Sequence, residues 1–181
     1  MNEYPFRIPA LNSYGAGIRN ALVPLGFGLT PSGSPTSLRG VTDPFDLDRF
    51  VDAQDDGGTY DQALRELRAG RKRSHWMWFV FPQIAGLGLS ETSRRFAISG
   101  LAEAQAYLAH PVLGPRLIES ASALADLDGV SAVQVFGPVD AQKLRSSMTL
   151  FARAAPEQQV FLDVLARYFR GEPDEATTSR L

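Results

Sequence analysis

Between residues 44 and 171 apolar side chains recur three and four positions apart, and the recurrence stops wherever glycine or proline appears. Leu47, Phe50 and Val51 stand at i, i+3 and i+4 behind Asp43-Pro44 and predict an amphipathic helix ending before Gly57-Gly58. Thr59, three residues before Gln62, has the spacing of a capping box. Tyr60, Ala63, Leu64 and Leu67 then repeat at helical intervals up to Gly70. The run Trp76-Met77-Trp78-Phe79-Val80-Phe81 fits either a short helix capped by Ser74 and ended by Pro82, or a strand, because a short apolar run does not reveal its period.

Gly86 and Gly88 make 84–90 a loop. A helix over 102–109 stops at His110-Pro111, since the residue before proline avoids the helical region. Leu113, Leu117, Ala121 and Leu124 line one face of a longer helix that ends near Gly129. After a short helix or turn at 131–136, Pro138 opens a helix over 138–154. Pro156 opens the last one, whose apolar face is Phe161, Val164, Leu165, Tyr168 and Phe169. Two runs with strand propensity do not make an α/β alternation. The expected fold is all-α, a single globular orthogonal array of about seven or eight short helices over residues 44–171. Residues 1–43, rich in Gly and Pro and without a sustained period, read as an irregular extension, and 172–181 as a polar C-terminal tail that frays.

Composition narrows the function classes. A formal charge of -2 gives no long-range attraction to nucleic acid or an anionic membrane. The longest apolar run is far short of the roughly 20 residues a membrane-spanning helix needs. With no cysteine the chain has no disulfide or thiolate chemistry, which fits a reducing compartment, and the cytoplasm is the expected location. His75 and His110 lack the spacing of metal ligands, so neither a metal nor another cofactor is expected. Of the 18 basic residues only Lys72 and Lys143 are lysines, which suggests that a compact ammonium is wanted at those places.

The candidate chemistry falls in two segments. Arg71-Lys72-Arg73 ends one helix and precedes another. These cations either complement the dipole of the first helix or, with the N–H groups that follow Ser74, hold a phosphate or carboxylate. Trp76 or Trp78 then offers a face for a base, unless both are core. Gln83 and Ser90 flank the glycine loop, which lacks the ending of a P-loop. In the second segment Asp140, Lys143 and Ser147 share one helix face, with Ser146 beside it. That face is either a solvated Asp–Lys stripe or a cleft wall on which Lys143 binds an anion and a serine donates to it. His110, before Pro111, suits a capping role.

The series Asp48-Arg49-Phe50, Tyr60, Ala63-Leu64, Glu66-Leu67, Gly70, Lys72, Ser74-His75-Trp76-Met77-Trp78-Phe79, Phe81-Pro82-Gln83, Gly86 and Gly88 is distinctive. It continues through His110-Pro111, Leu113-Gly114, Arg116-Leu117, Phe136-Gly137, Asp140, Lys143, Ser146-Ser147 and Thr149-Leu150-Phe151. With these motifs the chain resembles domain-of-unknown-function family 1810, over nearly all of residues 46–171. The resemblance implies a small all-α domain and names no reaction. A looser similarity of type is to the NADAR family of all-α glycosidases that remove ADP-ribose from guanine. The resulting expectation is a domain that binds or hydrolyses a nucleotide-like or ADP-ribose-like anion. Lys72, Lys143 and Arg116 would contact phosphate, Trp76 or Trp78 would stack, and Asp140 and His75 would be the acid–base pair. The alternative is a non-enzymatic interaction or regulatory module.

Overall fold

The computed structural model describes residues 43–181, and the irregular extension expected for 1–43 lies, apart from its last residue, outside them. Among the described residues the helices are α1 (Asp48–Asp55), α2 (Thr59–Arg68), α3 (Met77–Val80), α4 (Glu91–Arg95) and α5 (Leu101–Ala109). They continue as α6 (Leu113–Ala125), α7 (Ala132–Ala154), α8 (Gln159–Phe169) and α9 (Glu175–Thr178). The all-α expectation holds: the only β contact described is an isolated parallel bridge between Ile84 and Ile98. No described helix is long and apolar enough to cross a membrane.

The helices form where the apolar period demands, and the core is what they bury. α7 packs on α5, α8 and α9, and α6 packs on α2, α5 and α8. Leu144, Met148, Leu150 and Phe151 of α7 are fully buried, as are Phe161 and Val164 of α8. Ser131 starts α7 with a capping box shared with Gln134. Gly137 then takes φ 75° and ψ 167°, so α7 is two helical pieces that meet at a break, with Pro138 opening the second as its sequence predicts. His110 Nδ1 accepts from the N–H groups of Val112 and Leu113 at the start of α6, which is a capping role.

Four local expectations change. Pro156 lies in a turn and opens no helix, since α8 begins at Gln159 behind Gln158. Thr59 forms no capping box: Gly58 precedes α2, the Thr59 hydroxyl donates to the Asp56 carbonyl, and the Gln62 amide turns to Glu66 instead. Ser74 caps no helix, because α3 begins only at Met77 and its cap position is Trp76. The tail does not fray. Asp174 caps α9 by accepting from the Thr177 N–H at 2.9 Å and the Thr177 hydroxyl at 2.6 Å, and Gln142 of α7 donates to its other oxygen at 2.7 Å. The Asp174 N–H donates to Thr149 at 2.8 Å, and the Ser146 and Thr177 hydroxyls are 2.6 Å apart, so α9 is bound to α7 through buried polar groups.

At Gly114 the start of α6 passes so close to α5 that a Cβ would lie 2.0 Å from the Leu108 carbonyl oxygen. Gly114→Ala gains intrinsic helix propensity but forces two backbones apart. A net loss of about 2–3 kcal/mol is expected, read as a lower urea midpoint at unchanged slope.

Candidate functional site

Glu66, on α2, is buried and organises the segment that follows. Its Oε2 accepts from the Arg73 N–H at 2.8 Å, the Ser74 N–H at 3.1 Å and the Trp76 indole N–H at 2.9 Å. Oε1 accepts from the Ser74 hydroxyl at 2.8 Å and the Gln62 amide at 3.1 Å. Burial pushes the carboxyl pKa up, but these donors outweigh it and hold the group at about 2, below its ordinary 4.5. The backbone N–H groups on this carboxylate are those of Arg73 and Ser74, and the next helix begins only at Met77, so the helix start that was expected to cradle an external anion behind Ser74 is not formed.

Pinned this way, residues 71–73 send Arg71 and Arg73 outward and Lys72 inward. The Lys72 N–H donates to the Val135 carbonyl at 2.8 Å, and its ammonium lies 2.7 Å from Asp140 Oδ2 and 5.2 Å from the centroid of the Trp76 ring. Asp140 Oδ1 accepts from Lys143 Nζ at 2.7 Å, and Lys143 sits over the Trp78 ring at 4.2 Å. The two lysines the sequence isolates thus meet on one aspartate. Burial raises the pKa of Asp140, while the bonds from Lys143 and Lys72 and their charges lower it further, so the net shift is downward. The trio is two cations on one anion.

Lys143 and Trp78 line a cleft of about 550 Å³. One wall is the start of the second piece of α7, with Val139, Gln142 and Ser146. A second wall is the loop from Gln83 to Ser93, held by the Ile98 N–H on the Gln83 carbonyl and the Ala85 N–H on the Ile98 carbonyl, both at 2.8 Å. The third is α9, with Asp174 and Ala176. Gln83 is half-buried at the cleft, and Ser90 stands at its edge, where its hydroxyl accepts from the Ser93 N–H to cap α4.

Of the residues expected from the sequence, Trp78, Gln83, Ser90, Lys143 and Ser146 line this cleft, and Lys72 and Asp140 reach it through Lys143. The others do not gather there. Trp76 is fully buried, wedged against Phe81 and Phe136 with its N–H on Glu66, so it has no free face for a base. Arg116 holds α1: it pairs with Asp55 at 2.8 Å, donates to Gln54 and covers the Tyr60 ring. Ser147 is buried in the body of α7 and does not line the cleft, and His75 is exposed outside it. Among the described residues no three His, Asp or Glu side chains group as metal ligands.

Sequence reasoning missed Val139, Leu89, Asp174 and Ala176 at the cleft. Asp174 and Thr177, three apart, carried the signature of a helix N-terminus and a pointer to the third wall.

Residues 44–181 match the family described as "Protein of unknown function (DUF1810)". Among solved structures, that of the conserved hypothetical protein Rv1873 from Mycobacterium tuberculosis is 54% identical. It covers 77% of this chain and 98% of its own, with a TM-score of 0.75. No curated protein matches the chain.

The Glu66 geometry sets a pH dependence. Because its folded pKa lies below its unfolded value, its contribution to stability is complete above about pH 4.5 and is lost as pH falls toward 2. The size is about 3 kcal/mol. Glu66→Gln is expected to be less stable at neutral pH and to lack most of this slope, as measured by urea unfolding between pH 2 and 6.

Proposed function

We propose that this chain, which belongs to the DUF1810 family, binds a small anionic ligand of nucleotide-like or ADP-ribose-like kind in the cleft beside Lys143. The observation that carries this reading is the meeting of Lys72 and Lys143 on Asp140 at the cleft wall, two ammonium groups against one carboxylate. Within the trio one positive charge is left over in a half-buried place, where attraction to an anion is much less screened than on an open surface, while the Asp174 carboxylate on the third wall has its oxygens taken by Gln142 and Thr177. The volume suits such a ligand, since small-molecule sites commonly span about 300–1,000 Å³.

The polar groups of the cleft supply orientation. Gln83 offers an amide and Lys143 two N–H groups beyond the one on Asp140, while the Ser90 hydroxyl is engaged with Ser93 at the cap of α4. The flat or apolar part of the ligand has Trp78, Leu89 and Val139 to lie on. Lys143 already covers one face of Trp78, which is partly buried against the core, so the surfaces left are the rest of that side chain exposed to the cleft and the two aliphatic ones. Asp140, held ionised by its two partners, is a poor proton donor and a weak base at neutral pH. Its part is to position both lysines. In any hydrolytic step it would act through its negative charge on a developing cation.

A protein-interaction module is the second reading. Leu89 and Val139, 85% and 69% exposed, are the most exposed large apolar side chains described, and both stand at this cleft.

Thermal shift against ADP-ribose, NAD and AMP tests the first reading. A ligand at about 100 times its dissociation constant is expected to stabilise the domain by about 2.7 kcal/mol, and Lys143→Ala to abolish the shift. No shift with any of these anions, or shifts that Lys143→Ala leaves unchanged, would sink it in favour of the interaction module. Chromatography of the same mixtures after incubation reports whether a bound ligand is also cleaved.

A further inference from the structure

A second basic feature shares no lining residue with the cleft. Arg65, Arg71 and Arg73 surround a depression of about 480 Å³ whose remaining lining is Gln62, Glu66 and Ala69. All three arginines are exposed. Among the described residues none of the three makes an ion pair, a hydrogen bond or a ring contact through its guanidinium. Most of the other described arginines do: Arg49, Arg68, Arg116, Arg145 and Arg167 are paired with carboxylates, Arg94 and Arg180 donate to carbonyls and Arg95 covers the Phe96 ring.

Folding does not account for this concentration of charge. The ordinary use of cations here is to satisfy the last carbonyls of α2, but backbone groups already do so. The Ala69 N–H is on Arg65 O at 3.0 Å, the Gly70 N–H on Leu67 O at 2.9 Å and the Arg71 N–H on Glu66 O at 3.0 Å. Nor does the nearest carboxylate neutralise the group by direct pairing, because both oxygens of Glu66 are taken by Gln62, Arg73 N–H, Ser74 and Trp76. Three like charges are left around one hollow, set against the single charge of Glu66 and the dipole at the C-terminal end of α2 and paired directly with neither.

The platform beneath them is held in place. Arg71 and Arg73 project from a segment whose three N–H groups are bound in turn to Glu66 O, Val135 O and Glu66 Oε2, and Arg65 projects from the last turn of α2. The three side chains therefore line the hollow from fixed roots. No aromatic side chain lines the hollow, so it offers no stacking surface for a base or a sugar ring. Guanidinium forks match phosphoryl oxygens in pairs, and three of them suit several phosphates close together better than one.

We propose that Arg65, Arg71 and Arg73 form a binding site for a compact oligophosphate, of the size of pyrophosphate or tripolyphosphate, separate from the Lys143 cleft. Titration calorimetry with tripolyphosphate at about 0.15 M ionic strength tests it, with sulfate as the single-dianion control. The full chain is expected to bind tripolyphosphate at least about tenfold tighter than sulfate, and the double variant Arg71→Gln/Arg73→Gln to lose at least about tenfold of that affinity. In Lys143→Ala the amide shifts that tripolyphosphate causes at residues 62–73 should persist, whatever becomes of binding at the cleft. Amide shifts of the wild-type chain on adding tripolyphosphate should centre on residues 62–73, a readout that does not depend on any variant. The proposal is overturned if the double variant binds unchanged, if sulfate binds as tightly as tripolyphosphate, or if Lys143→Ala removes the amide shifts at residues 62–73. Amide shifts confined to residues 83–93 and 139–146 also overturn it, since they move the anion to the cleft.

Discussion

A buried carboxylate accepting five hydrogen bonds is an expensive group to place in a small helical domain, and its position on α2 decides what the next ten residues do. Glu66 takes its donors from Gln62, Arg73, Ser74 and Trp76. By doing so it turns Arg71-Lys72-Arg73 into an extended brace with alternating side chains, rather than the continuation of a helix. The alternation puts Lys72 on Asp140 and leaves Arg71 and Arg73 on the outside. It also commits Trp76 to the core and leaves Trp78, two residues on, at the cleft. Both basic features of the molecule rest on this one set of bonds.

The partner of that brace is the break in α7. A straight helix through 132–154 would keep the phase of Val135 and Phe136 running into Asp140 and Lys143. Gly137, with its positive φ, resets the phase, so Val135 and Phe136 stay buried while Lys143 stands at the cleft wall with Asp140 behind it. The Lys–Asp–Lys trio is held by groups from two separate elements, and Lys143 alone reaches the open space. An aspartate shared between two ammonium groups fixes both of them in place, which lowers the ordering a bound anion would otherwise have to bring about.

The third wall of the cleft comes from the end of the chain. α9 is four residues long and would not be stable alone. It is held because Asp174 and Thr177 bond to each other and to Gln142, Ser146 and Thr149 on α7. The family match runs through this segment to residue 181, in keeping with its place in the fold.

Helix positions were legible because a helix is a local object: its period, its glycine and proline limits and its proline-opened start at Pro138 are all written within a few residues of each other. The pairing of Asp140 with Lys143 was legible for the same reason, three positions apart on one face. Tertiary structure alone decided which of two nearby tryptophans lines a cleft, and that Arg116 clamps α1 to α6 instead of binding a ligand. It also decided that Ser74 serves Glu66 rather than a helix start, and that a polar tail folds back onto α7. Each of these turns on a buried polar group finding its partner across 8 to 62 positions of chain. Such a choice is set by which donors and acceptors lose water together when the helices pack, and no local pattern records it.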